Sequence, residues 1–209
     1  MNPIWNDETD VKKKQLLQAG LEEFAEKGYD LASTNAIIKK AGVSKGLLFH
    51  HFHNKKTLFL YIGERCTEYF FSYLESESSS ISADPLERLR DLNLVKMKLF
   101  IQEPLIYHLA IYLLVVKSEE IQEEANQFEQ RFNERYFRFY LDGMNTEILR
   151  NDISYENILA IIFESVEALT RSYVEKYKQV DDKGLALLEG LYKDLTDYME
   201  ILKYGIYQR

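Results

Sequence analysis

The sequence predicts an all-α protein of about nine helices. Three observations carry that expectation. Only nine Gly and three Pro punctuate 209 residues, too few for the many turns of a sandwich or barrel. Apolar residues recur at three- and four-residue spacing along most of the chain. Hydrophobic residues make up 46% and charged ones 29%, the balance of a chain that buries a sizeable core. The single cysteine, Cys66, excludes an internal disulfide framework and a zinc ribbon or finger, and on the apolar side of its helix it reads as a packing residue. Residues 1–14 place acids ahead of lysines and lack an apolar stretch, unlike a secretory leader. The longest apolar run, 105–116, contains His108 and falls short of the roughly 18 residues of a membrane span. A cytoplasmic protein with no membrane partner is expected.

Each helix has its own local signal. Residues 7–27 carry Val11, Leu16, Leu17, Leu21, Phe24 and Ala25 as an apolar stripe, with Gly28 placed to end the helix. Ser33 or Thr34 is an N-cap for a short helix ending at Ala41, with Ile37, Ile38 and Ala41 inward. Gly42-Val43-Ser44 is a three-residue break in which Gly42 takes a positive φ and Ser44 caps the next helix. Residues 45–52 then turn Leu48 and Phe52 inward. Two short helices about a glycine turn make a helix-turn-helix pattern. Residues 55–74 form a fourth helix with Leu58, Ile62, Tyr69, Phe70 and Tyr73 on one side. The Ser-rich 76–83 reads as a loop, Asp84-Pro85 opens a helix to about 102, and Pro104 opens an almost wholly apolar, buried one. Ser118-Glu119-Glu120 starts a helix to about 141, 143–154 is a loop, and 154–178 and 182–203 complete the set.

The net charge of −8 at first disfavours a nucleic-acid partner, but the charge is unevenly spread. Residues 1–60 hold nine lysines against seven acids, and no acid occurs between Asp30 and Glu64. That window carries Lys39, Lys40, Lys45, Lys55 and Lys56 with His50, His51 and His53. A local basic patch on an acidic chain suits phosphate contact, because neutralising phosphates releases counterions. A solvated lysine face is the plainer alternative.

The segment 34–58, TNAIIKKAGVSKGLLFHHFHNKKTL, resembles the DNA-binding signature of the TetR/AcrR family of transcriptional regulators. Thr34, Ile37 or Ile38, Ala41-Gly42-Val43-Ser44, Gly46, Leu48, Phe52, Lys55 and Leu58 carry the likeness, and Phe24-Ala25-Glu26-Lys27-Gly28-Tyr29 is similar to the end of the family's first helix. Phe49 and His51 stand where the family has tyrosines, Ile38 where it has alanine, and Lys56 where it has glutamate. The resemblance covers about the first 60 residues; the rest matches in architecture alone. It implies a DNA-binding domain over 1–54 and a ligand-binding and dimerisation domain over 55–209.

A recognition helix presents its N-terminal residues to the major groove, which puts Ser44, Lys45 and Gly46 at DNA. Leu47 and His50 lie opposite Leu48 and Phe52, suited to a thymine methyl and a base edge, although Leu47 could equally fill the core. Thr34, Phe49 and His51 complete the expected contacts, with Lys55 at the phosphate backbone. His50 and His53 have no carboxylate or cysteine beside them, so no metal site is expected, and no cofactor. No nucleophile–base pair recommends catalysis.

Met97, Phe100, His108, Tyr112, Phe132 and Tyr136 recur at spacings that could line an aromatic pocket, with Glu164 as the charged group that would favour a lipophilic cation. These residues equally suit core filling. The resemblance implies a repressor that binds a pseudo-palindromic double-stranded operator as a homodimer and releases it when an aromatic or lipophilic effector binds. Stripes for the dimer are Ile158, Ile162, Val166, Leu169 and Tyr173, then Leu188, Leu191, Leu195 and Met199. Two alternatives stay open: a helical-bundle ligand carrier or enzyme with no DNA role, and a regulator whose partner is another protein.

Overall fold

The computed structural model describes residues 3–116, 118–177 and 185–204. Among them the chain is all-α: α1 (Val11–Leu31), α2 (Thr34–Ala41), α3 (Lys45–Phe52), α4 (Lys55–Ser76), α5 (Pro85–Gln102), α6 (Pro104–Val115), α7 (Gln122–Leu141), α8 (Tyr155–Tyr177) and α9 (Leu185–Tyr204). Short 3-10 turns at Ser78–Ser80 and Thr146–Ile148 occupy the stretches expected as loops. The chain divides into two compact units, Met1–Tyr73 with Glu103–Glu134, and Leu74–Gln102 with Arg135–Arg209.

In the first unit, α1 starts at Val11 because Asp10 is the cap: its Oδ1 accepts from the N–H of Lys12 at 2.9 Å and of Lys13 at 3.2 Å. Asp7, four residues before the helix, instead receives the Arg65 guanidinium of α4. Leu16, Leu17, Leu21 and Phe24 are buried as expected, whereas Val11 is exposed on the first turn. Ile4 and Trp5, which carry no periodic signal, are buried too, and Trp5 Nε1 donates to Gln18. Gly28, at φ 68°, breaks α1, and a last turn resumes to Leu31. Cys66 is fully buried, and burial pushes its thiol well above the ordinary range, so it packs and forms no reactive thiolate.

In the second unit, Asp84 caps α5, its Oδ1 accepting from Leu86 and Glu87 N–H at 3.0 Å each. Helix α5 packs against α8 and α9. Two polar pairs cross from α5 to α8: Thr170 Oγ1 donates to Asn93 Oδ1 at 2.7 Å, and Lys96 pairs with Glu167. Tyr173 Oη donates to Asp194 across α8 and α9. The buried Arg88 gathers the end of α7, donating to the carbonyls of Phe139, Tyr140 and Asp142 and to Ser82.

Two residues expected in an aromatic pocket are exposed. His108 lies on the outer side of α6, and Glu164 on that of α8; the acid that turns inward is Glu167, three residues on, where Lys96 receives it. Of the stripes expected at a dimer seam, Ile162, Val166, Tyr173, Leu191, Leu195 and Met199 are buried within the subunit, and the side chain of Leu188 lies outside the described residues. These faces pack the unit itself, because α5 already covers them.

Arg88→Met removes the donor shared by three carbonyls at the end of α7 and by that of Ser82. It is expected to lower stability by about 1–3 kcal/mol, read as a reduced urea midpoint. An unchanged midpoint would show that those carbonyls find other partners.

Candidate nucleic-acid interface

The candidate surface is assembled by capping chemistry. Ser33, in an extended conformation, caps α2 through its Oγ, which accepts from Ala36 N–H at 3.4 Å. Gly42 closes α2 at φ 65°, with its own N–H on Lys39 O and that of Val43 on Ile38 O, the paired bonds of a Schellman end. Ser44 then opens α3, its Oγ accepting from Leu47 N–H at 3.3 Å. Leu48 and Phe52 face the core and fix which side of α3 faces out.

That outer side carries most of the expected contacts. Ser44, Lys45, Gly46, Phe49 and His50 are exposed on two turns of α3, and Leu47 is half-buried beside them. A Cβ on Gly46 would meet nothing nearer than Ser44 Oγ at 3.8 Å, so no neighbour inside the subunit requires a glycine there. Lys45 Nζ lies 5.5 Å from the Phe49 ring centre. Thr34 is half-buried in the first turn of α2. His51 is half-buried, 5.1 Å from the His50 ring, with Nε2 3.9 Å from Asp10 Oδ2 at the head of α1.

Lys55 is placed differently from the expectation of a phosphate contact. Its ammonium donates to Tyr29 O at 3.0 Å and Asp30 O at 3.4 Å, and sits 4.3 Å from the Tyr29 ring centre. It therefore caps the end of α1, where carbonyls lacking helical partners attract a cation. Other lysines of the acid-free window also find acids from outside it. Lys40 pairs with Glu22 at 2.6 Å, which raises its pKa, and Lys56 pairs with Glu124 and donates to Glu120 O at 3.1 Å. Lys39 and Lys45 remain as exposed cations on α2 and α3. Among the described residues no group of three or more His, Cys, Asp or Glu is arranged to hold a metal ion.

Residues 16–62 match the family model described as bacterial regulatory proteins, tetR family. Over 77 residues the chain is 39% identical to the transcriptional regulator AcuR of Cereibacter sphaeroides, covering 37% of this chain. Residues 16–62 are thus a DNA-binding segment of the TetR-family kind. The match spans about a third of AcuR, 35% of that protein's length. A longer match, 21% identical over 195 residues, covers 90% of this chain and 99% of IcaR, the negative transcriptional regulator of the biofilm operon icaADBC in Staphylococcus aureus. The crystal structure of the transcriptional regulator FadR from Bacillus subtilis, solved in complex with stearoyl-CoA, superposes with a TM-score of 0.65 at 21% identity, over 93% of this chain and 100% of FadR. The TetR fold thus extends past the matched N-terminal segment, and the capped α2 and α3 are its helix-turn-helix.

Sequence reasoning named the residues of α3 but not the junction behind them. Tyr29 and Tyr112 meet there, and the one local signal was the glycine before Tyr29. Lys55→Ala should lower the melting temperature, since it uncaps α1, whereas Lys45→Ala should leave it unchanged. Thermal unfolding of the two variants side by side checks the assignment; equal melting temperatures would return Lys55 to the surface.

Proposed function

We propose that this protein is a ligand-responsive transcriptional repressor of the TetR family that binds a pseudo-palindromic operator as a homodimer in the cytoplasm and catalyses no reaction. Residues 1–54 serve as the DNA-binding domain and 55–209 as the effector-binding and dimerisation domain. The observation that carries the reading is the outer side of α3, where Ser44, Lys45, Gly46, Phe49 and His50 stand exposed at the N-terminal end of a capped helix. A helix N-terminus with a cation suits phosphate, and a half-buried Leu47 beside His50 suits base edges. Lys39 at the end of α2 extends the phosphate-contacting surface.

Two DNA readers must be held about 34 Å apart to enter successive grooves, which requires a second subunit. Ile161 on α8 and Tyr192 and Ile201 on α9 expose large apolar surface and are the side chains we assign to the subunit contact. The effector is lipophilic: Met97, Phe100 and Tyr136 are buried in the second unit, and a likeness to a regulator solved with stearoyl-CoA supports that class. With Glu164 exposed, no side chain among these favours a cation over a neutral compound.

The test is selection of duplexes from a randomised pool, then affinity across several salt concentrations. Lys39→Ala and Lys45→Ala should each flatten the slope of log K against log salt by about 0.9, one phosphate contact apiece. A protein that enriches no duplex is not a DNA-binding regulator. Separately, Ile161→Glu combined with Tyr192→Glu should convert the sedimenting species from dimer to monomer; a variant that stays dimeric places the contact elsewhere.

A further inference from the structure

The break in α1 leaves a peptide group that the helix cannot satisfy, and another helix supplies its partner. At Gly28 (φ 68°, ψ −179°) the backbone leaves the helical region, which takes Tyr29 N–H off its helical acceptor. That N–H donates to Tyr112 Oη of α6 at 3.1 Å. The hydroxyl lies so close that a Cβ on Gly28 would stand 2.6 Å from it. On the other side of the same residue, Tyr29 O accepts from Lys55 Nζ at 3.0 Å. The Tyr29 ring packs 5.0 Å from Phe59 of α4, and Phe59 meets the Tyr112 ring edge-on at 6.1 Å. One residue is thus gripped by α6 through its N–H and by α4 through its carbonyl and ring.

The position of Tyr29 makes this grip consequential. Four residues later Ser33 caps α2, and Ser33 N–H donates to Glu23 Oε1 at 3.0 Å, so the link between α1 and α2 is short and tied at both ends. The attitude of α2, and of α3 across the Gly42 turn, follows from where residues 29–33 point. We propose that the Tyr112 hydroxyl is a positioning group that sets the orientation of the helix-turn-helix by fixing Tyr29 N–H at the Gly28 break. This rests on the DNA-binding reading above. Tyr112 touches no DNA in this scheme and acts through Tyr29. The residue has its apolar contact with Phe59 and its hydroxyl contact with the break, and the two can be separated by removing one oxygen.

The experiment compares the full-length wild type with Tyr112→Phe, using a duplex that the wild type enriches from a randomised pool. Tyr112→Phe keeps the ring packing on Phe59, so it should fold, with the melting temperature lowered only by the loss of one hydrogen bond. Its affinity for the duplex should fall about three- to tenfold, the range of one neutral hydrogen bond, with the salt slope unchanged because no phosphate contact is lost. Amide NMR gives a readout independent of DNA: the Tyr29 amide should shift and exchange faster, and the amides of α2 and α3 should shift with it, while those of α8 stay in place. Gly28→Ala, whose Cβ displaces the hydroxyl from the other side, should move the same amides. Should Tyr112→Phe bind the duplex as tightly as the wild type, or perturb Tyr29 alone and leave α2 and α3 unmoved, the proposal is overturned and the DNA-binding reading stands. A wild type that enriches no duplex overturns both.

Discussion

The proposed reading surface is only as fixed as the last turn of α1. Helices α2 and α3 have eight residues each, short of the roughly 12–15 at which an isolated helix becomes even marginal in water. Their persistence depends on packing, and their direction depends on the chain that leads into them. Ile37, Leu48 and Phe52 bury against the first unit and hold the pair to α1. Those contacts resist separation more than they resist rotation, because apolar burial is non-directional. Directional bonds do the aligning: Tyr112 Oη and Lys55 Nζ on Tyr29, and Glu23 on Ser33. A glycine at 28 permits this by letting the backbone turn and by leaving room for a hydroxyl where any side chain would stand.

The charge pattern shows what a sequence window can and cannot report. The absence of acids between Asp30 and Glu64 pointed to the helix-turn-helix, and the structure places that region on α2, α3 and the head of α4. The same window overstated the free positive charge. Lys40, Lys55 and Lys56 are engaged by Glu22, by the end of α1 and by the start of α7, all from segments outside it. Each partner is far away in sequence or on a neighbouring helix face, so no local count reveals it. The cationic surface that remains rests on Lys39 and Lys45, one on each short helix.

How legible the fold was depended on the range of the interaction that fixes each feature. Gly42, Ser44 and Asp84, and Ser33 to within its neighbour Thr34, were readable because a cap is settled within four or five residues by side-chain oxygen and backbone geometry. The start of α1, expected at residue 7, falls at Val11 behind the Asp10 cap, and Asp7 is taken by Arg65, 58 residues later. Helix α6 is apolar almost all round, so its phase about the axis is unmarked in sequence, and the exposure of His108 and the inward turn of Tyr112 depend on α1 and α4. Glu164 and Glu167 are likewise equivalent in pattern. The buried Lys96 on α5 distinguishes them, and nothing within α8 does.

That last pair belongs to a second device, which aligns the C-terminal helices as the Gly28 junction aligns the N-terminal ones. Asn93 faces Thr170 and Lys96 faces Glu167, so an advance of three residues on α5 matches a retreat of three on α8. The helices therefore run antiparallel, with two polar contacts one turn apart. An apolar seam between long helices tolerates a slip of a turn, because one leucine replaces another. Here a slip would part Lys96 from its carboxylate and leave a nearly fully buried ammonium unmatched, a far larger loss than the paired state gains over an apolar equivalent. The polar pairs thus specify register more than they add stability. By fixing α8 against α5 they also fix which residues of α8 remain outside, and Ile161 is exposed because Ile162 and Val166 are held in. The apolar surface available to a second subunit is in this sense a consequence of two buried polar contacts on the opposite side of the same helix.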